Sequence, residues 1–274
     1  MNKAIAIAIT VGLLVVTTIV LLGVFVWNEP RDVCIDYHDH FKDYLFPKES
    51  TSSSNDYLDL QIMPESPDDH QWPYIYTDPL NPDHSVTGYY LKVTSQTYLN
   101  ATASTAPIWW HRVIVLIPNR LTNDTNAKES MLIFNQGGNN RNEDGTDNPN
   151  THPDPNQDKT LEYVKIAKYT GTVTALIYDN PNQPFIYEMD PTKMARTEDA
   201  IIAYSWIKFI ENKDNLDMVL QGPMTKVVTS GFSAMVDYLR IEHEMTLRSY
   251  VISGMSKRGW TSWLSCAYDD RCIE

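Results

Sequence analysis

The sequence predicts an α/β fold built on a mostly parallel sheet with helices on both faces. Three observations carry this. Short β-branched and aromatic runs alternate with segments of helical apolar spacing from residue 85 onward. Glycine, proline and asparagine punctuate the junctions. The 274-residue length suits one large domain.

The elements follow in order. Tyr89 to Leu99 and Trp110 to Ile117 read as strands, the second ended by Pro118-Asn119. No helix separates them, which implies an antiparallel edge. Met131 to Phe134 is a short apolar strand running into Gly137-Gly138, and a polar loop spans Asn139 to Asp158. Leu161, Val164, Ile166 and Ala167 mark a helix, and Thr172 to Tyr178 a buried strand. Asp199 to Ile210 and Met224 to Ile241 have helical spacing. Ser249 to Ser253 is the last strand. Residues 30–84 read as an irregular N-terminal segment, with a low-complexity stretch at Ser50 to Asn55.

Ala4 to Trp27 is an apolar run interrupted only by threonine and glycine. As a helix it would extend about 36 Å, enough to cross a hydrocarbon core of about 30 Å with tilt. It exceeds a signal h-region, and no Ala-x-Ala-like site closes it. Residues 1–29 are therefore expected to be a signal-anchor or a signal peptide, with a transmembrane helix the favoured reading. The membrane is the expected partner through residues 4–27, with the bulk of the chain extracellular or lumenal, or secreted. Asn100-Ala101-Thr102 and Asn123-Asp124-Thr125 are candidate glycosylation acceptors. Of the three cysteines, Cys266 and Cys272 are close enough in sequence to pair, leaving Cys34 over.

The formal net charge of −13, without any Lys/Arg cluster, argues against nucleic-acid binding, because phosphate neutralisation needs a basic face. No metal site is expected. Asp154-x-Asn156-x-Asp158 alternates like a calcium loop but has Lys159 where glycine and Lys165 where glutamate are required. His243 in Glu242-His243-Glu244 has no second histidine one turn away. No cofactor is implied.

The chemistry centres on Ser256. The stretch Val251-Ile252-Ser253-Gly254-Met255-Ser256-Lys257-Arg258-Gly259 reads as strand, sharp turn and helix start. Such a turn lifts a nucleophilic serine above its sheet in α/β-hydrolases. Gly254 supplies the small residue two before the serine. Arg258 stands where a second small residue is usual, and Gly259 comes one place late. The competing reading is a helix-capping serine. The Lys257 N–H, at a helix N-terminus, and the Gly137-Gly138 turn are candidate oxyanion donors. The triad order on this fold is Ser, acid, His. The seven histidines, His38, His40, His70, His84, His111, His152 and His243, all precede Ser256. Ser256 is therefore expected to be inert within residues 1–274, since a serine hydroxyl needs an adjacent base.

Several blocks, in order, resemble the PhoPQ-activated pathogenicity-related proteins. Ser253-Gly254-Met255-Ser256-Lys257-Arg258-Gly259-Trp260-Thr261-Ser262-Trp263-Leu264 is similar to that family's elbow, which keeps Lys-Arg-Gly-Trp after the serine. Trp110-His111, Gly137-Gly138-x-Asn140, Asp179-Asn180-Pro181-Asn182-Gln183-Pro184, Arg196-Thr197-Glu198-Asp199-Ala200 and Gly222-Pro223-Met224-Thr225-Lys226 also resemble family blocks. The resemblance implies an α/β-hydrolase-like fold over 85–274, C-terminally incomplete, because family chains continue past the elbow helix with strands that would supply acid and histidine. It implies an ester- or amide-cleaving serine hydrolase with Ser256 as nucleophile. The family also includes a secreted growth-repressing signal, so a signalling protein acting through a cell-surface receptor is the alternative.

Expressed in cells, the chain is expected to resist carbonate extraction and to gain mass at Asn100 or Asn123. Release into the medium with a new N-terminus near residue 28 would overturn the anchor.

Overall fold

The computed structural model describes residues 31–47, 56–63, 71–148 and 152–274. The expected membrane run, residues 4–27, lies outside them, as do the side chain of Cys34 and His70. Among the described residues no helix is long and apolar enough to cross a membrane. The chain divides into two units, Met1–Pro47 and Lys48–Glu274. The first carries helix α1 (Arg31–Leu45).

The second unit holds strands β1 (Asp59–Ile62), β2 (Tyr74–Tyr76), β3 (Val86–Thr97), β4 (Ile108–Pro118), β5 (Ser130–Asn135), β6 (Val173–Ile177) and β7 (Ser249–Gly254). Its helices are the single turn α2 (Thr125–Lys128), then α3 (Asp158–Thr170), α4 (Asp199–Glu211), α5 (Gln221–His243) and α6 (Lys257–Tyr268). The expected strands and helices all form, most of them extended by one to three residues at an end.

The strands make one sheet in the order β1-β3-β4-β6-β5-β7, with β2 also on β3. β5 runs parallel to both β6 and β7. The pairings β1–β3, β2–β3, β3–β4 and β4–β6 are antiparallel. The expectation of a mostly parallel sheet is thus corrected to a mixed sheet whose parallel part is β6-β5-β7. Two of the antiparallel additions come from the segment read as irregular. β1 and β2 are four and three residues long and only partly covered, too short to show an apolar period.

Alternation along the central strands divides the core. Val113 and Val115 of β4, with Ala175 and Ile177 of β6, pack into a cluster with Val227, Val228 and Phe232 of α5. Ile114, Leu116 and Leu176 point to the other face, against Val164 and Ala167 of α3. Every residue of β6 is buried, as expected for a strand covered on both faces.

The far side of β7 is occupied. Tyr250 N–H donates to Arg271 O at 2.9 Å, Ile273 N–H to Tyr250 O at 2.9 Å and Ile252 N–H to Glu274 O at 2.9 Å. The outer edge of the elbow strand is therefore paired by the last residues of the sequence. The turn leading there is fixed by the Cys266–Cys272 disulfide and by buried Asp269, which accepts from Tyr250 Oη at 3.0 Å and Arg271 Nε at 2.8 Å.

A bidentate ion pair joins β4 to the end of β6. Arg112 Nε and Nη2 donate to Asp179 at 2.7 and 2.6 Å, and the Asp179 side chain is fully buried. Removing one partner leaves a buried charge unmatched. Arg112→Ala is expected to cost about 3–5 kcal/mol of unfolding free energy, measured by urea denaturation. A loss below about 1 kcal/mol would show that the pair is structurally dispensable.

Candidate functional site

The three parallel strands end on one edge of the sheet, where ligands bind in α/β proteins. β7 turns into α6 through Met255 and Ser256. Neighbouring β5 turns into Gln136-Gly137-Gly138, and the two ends are in register through Asn135 and Gly254. β6 leads into the loop Asp179 to Pro184.

Ser256 has φ 58 and ψ −123, a backbone conformation that L-residues rarely occupy. Its side chain makes no cap hydrogen bond, and the residue is exposed. A capping serine sits in the extended region and accepts from the helix amides. Ser256 does neither, so the capping reading fails and the elbow geometry stands.

The displaced glycine is explained by packing. A Cβ on Gly254 would lie 2.4 Å from the Arg258 carbonyl oxygen, and one on Gly259 would lie 2.9 Å from the Gly254 oxygen. Gly254 and Gly259 face each other across the turn. The position between them is free to carry a long side chain.

That side chain, Arg258, runs back into the site. Its Nε donates to the Asn180 oxygen at 2.8 Å, and its Nη2 to Glu198 Oε1 at 2.7 Å. A Cβ on Gly137 would stand 2.2 Å from Arg258 Nη2, and one on Gly138 would stand 2.3 Å from Asp179 Oδ1. The paired glycines therefore let the turn approach Arg258 and the Arg112–Asp179 pair. Neither Gly137 nor Gly138 N–H is hydrogen-bonded among the described residues. The Lys257 N–H, first of α6, has no intrahelical acceptor.

Glu198 is the residue that sequence reasoning missed. Its block was matched only as a helix start. It sits at the head of α4 with φ 52 and ψ −125, nearly the backbone conformation of Ser256. Its carboxylate accepts from Arg258, from Gln183 Nε2 at 2.7 Å and from Lys257 Nζ at 2.5 Å, while its own N–H donates to Gln183 Oε1 at 2.7 Å. Partial burial pushes the carboxyl up, but the bonds from Arg258, Lys257 and Gln183 outweigh this and bring it down to about 2. The signal available in sequence was that both long cations follow the serine, and long cations near a cleft need carboxylate partners.

Among the described residues of this unit no histidine stands beside Ser256. His111 lies on β4, three strands from β7, about 14 Å away at ordinary strand spacing. It is fully buried between Ser95 Oγ at 2.9 Å and the Tyr178 oxygen at 3.2 Å, and burial pushes its imidazole down to about 3. His84 bonds Asn81 before β3, and His152 meets Tyr90 of β3 edge-to-face, one strand further away. His243 packs on Tyr89 and Tyr238 at the end of α5, with the length of β7, about 20 Å, between it and the elbow. His38 and His40 belong to α1, in the other unit. Among the described residues no three His, Cys, Asp or Glu side chains are grouped to hold a metal ion. Asn100 and Asn123, the candidate acceptors, are both exposed.

The Glu198 network gives a pH signature. A carboxyl held below its unfolded value of about 4.3 stabilises the fold above that value, and loses this contribution as pH falls through about 2. Wild type is therefore expected to lose stability more steeply than Glu198→Gln between about pH 4.5 and 2, measured by urea unfolding across that range. Parallel curves for the two proteins would exclude a lowered Glu198.

Three comparisons with known proteins bear on this arrangement. A chain described as a putative acetyl xylan esterase from Bacteroides fragilis superposes with a TM-score of 0.36 at 13% identity, over 86% of this chain and 49% of that one. Autocrine proliferation repressor protein A of Dictyostelium discoideum is 33% identical over 187 residues, which are 68% of this chain and 34% of that protein. This chain thus spans about a third of the length of the curated relative it matches. The family model for PhoPQ-activated pathogenicity-related proteins matches residues 61–274, the whole sheet from the end of β1 through the elbow and α6. The chain belongs to the PhoPQ-activated pathogenicity-related protein family.

Proposed function

We propose that this chain carries the nucleophile and oxyanion donors of a serine hydrolase acting on ester or amide bonds, on an α/β-hydrolase-like fold. One observation carries the reading. Ser256 is held at φ 58 and ψ −123 between a parallel strand and a helix, exposed and uncapped. Strain of this kind costs about 1–3 kcal/mol and persists where the surrounding structure enforces it. Here Gly254, Gly259 and Arg258 enforce it.

In this reading Ser256 Oγ attacks the substrate carbonyl. The Lys257 N–H and the unpaired N–H groups of Gly137 and Gly138 receive the developing oxyanion. The base is a histidine outside the described residues. The protein is placed outside the cytosol, secreted or anchored through residues 4–27. The Cys266–Cys272 disulfide supports that placement, since disulfides persist in oxidising compartments. So does the exposure of the acceptors Asn100 and Asn123.

The second reading is a signalling protein that uses the fold for receptor binding without catalysis. The name of the Dictyostelium relative favours it. A fluorophosphonate probe on the full-length protein separates the two. Labelling that disappears in Ser256→Ala is expected; a folded, complete protein that takes no label would favour signalling.

A further inference from the structure

Helix α4 leaves an apolar face uncovered. It is the most apolar of the described helices longer than one turn, yet of its 13 residues only Ile201 and Ser205 are buried. Its inner face is fixed. Ile202, Tyr204 and Phe209 pack on the main core, and Trp206 Nε1 donates to Gln221 Oε1 at 3.0 Å. The outer face carries Ala200, Ala203, Ile207 and Ile210, all exposed, the two isoleucines at 52% and 65%. Steps of three, four and three residues put these four in one line along the helix.

A single exposed isoleucine needs no explanation, but this line has an internal pattern. Two copies of the helix laid antiparallel, with a twofold axis at the level of Ser205, set Ala200 against the partner's Ile210 and Ala203 against the partner's Ile207. Small meets large at every step, so the two lines interdigitate. A parallel pairing sets isoleucine on isoleucine, alanine on alanine and Asp199 on Asp199. The charges at the rim agree with the antiparallel arrangement. Asp199, its side chain 87% exposed, flanks the start of the line, and Lys213, also exposed, follows its end on the same side. In the antiparallel pair each Asp199 comes beside the partner's Lys213, and the helix dipoles oppose.

We propose that α4 is a contact surface for a second copy of this chain, closed by a twofold axis. A helix of 13 residues is about 20 Å long and about 10 Å wide. That outline is well below the roughly 800 Å² per partner of a standard interface, so the dimer is weak, with a dissociation constant of about 10 µM or higher. The contact uses neither Ser256 nor the glycine turn and is independent of the hydrolase reading.

The test is sedimentation equilibrium of the full chain in neutral detergent, up to about 200 µM. Wild type is expected to dimerise. Ile207→Asp places a charge where the lines meet and is expected to weaken association about tenfold or more. Ala203→Ile sets isoleucine against the partner's Ile207 and is expected to weaken it about tenfold. Combining Ala203→Ile with Ile207→Ala again opposes large with small and is expected to recover most of the loss. All these changes fall on exposed side chains, and an unchanged urea midpoint shows that each variant folds. A wild type that stays monomeric overturns the proposal and leaves the line to another partner. Dimers undiminished in Ile207→Asp, or a combined variant no better than Ala203→Ile, overturn it equally.

Discussion

The ion pair between Arg258 and Glu198 is the interaction on which the rest of the site depends. The guanidinium is largely buried, and a buried charge is tolerated only when paired and hydrogen-bonded. Its partners come from three separate places: the Glu198 carboxylate at the head of α4, the Asn180 carbonyl after β6, and the face of Gly137 after β5. One side chain thus ties together the ends of all three parallel strands. The elbow, the glycine turn and the polar loop hold their mutual geometry because each contributes to satisfying the same charge.

This network also accounts for features of the sequence that look unfavourable in isolation. Arg258 occupies the place where a compact elbow usually needs a small residue. The glycine slips one position to 259, which leaves the tight contact with Gly254 intact and frees the arginine to reach inward. Glu198 adopts a left-handed backbone conformation without being glycine, a strain held in place by the Gln183 side chain on its N–H and by the two cations on its carboxylate. The local costs at Ser256, Glu198 and the paired glycines all serve one arrangement.

The remaining polar side chains of the loop after β6 are structural. Asp179 is consumed by Arg112. Asn182 bridges the Trp110 backbone, the Asp179 carbonyl and Arg141. His111 is locked between Ser95 and Tyr178 and kept neutral by burial. What stays chemically available at the sheet edge, among the described residues, is the Ser256 hydroxyl, the amides around it and the exposed Lys159.

Sequence alone determined the central elements, because long apolar runs with a clear period specify strand or helix whatever their neighbours. It also located Ser256, since a strand running into Gly-x-Ser and a helix start is a local pattern. Strand direction, by contrast, was decided only by the tertiary structure. Nothing in β4 states that it will lie antiparallel to β6, and β1 and β2 are too short to carry a period. The partner of Arg258 lies 60 residues away in sequence and meets it only when two loops converge. The unpaired donor of Asn135 is likewise invisible in one dimension. Asn135 closes β5, and only the packing of the loop after β6 buries its amide and leaves one end bonded to Asn180 and the other unpaired among the described residues.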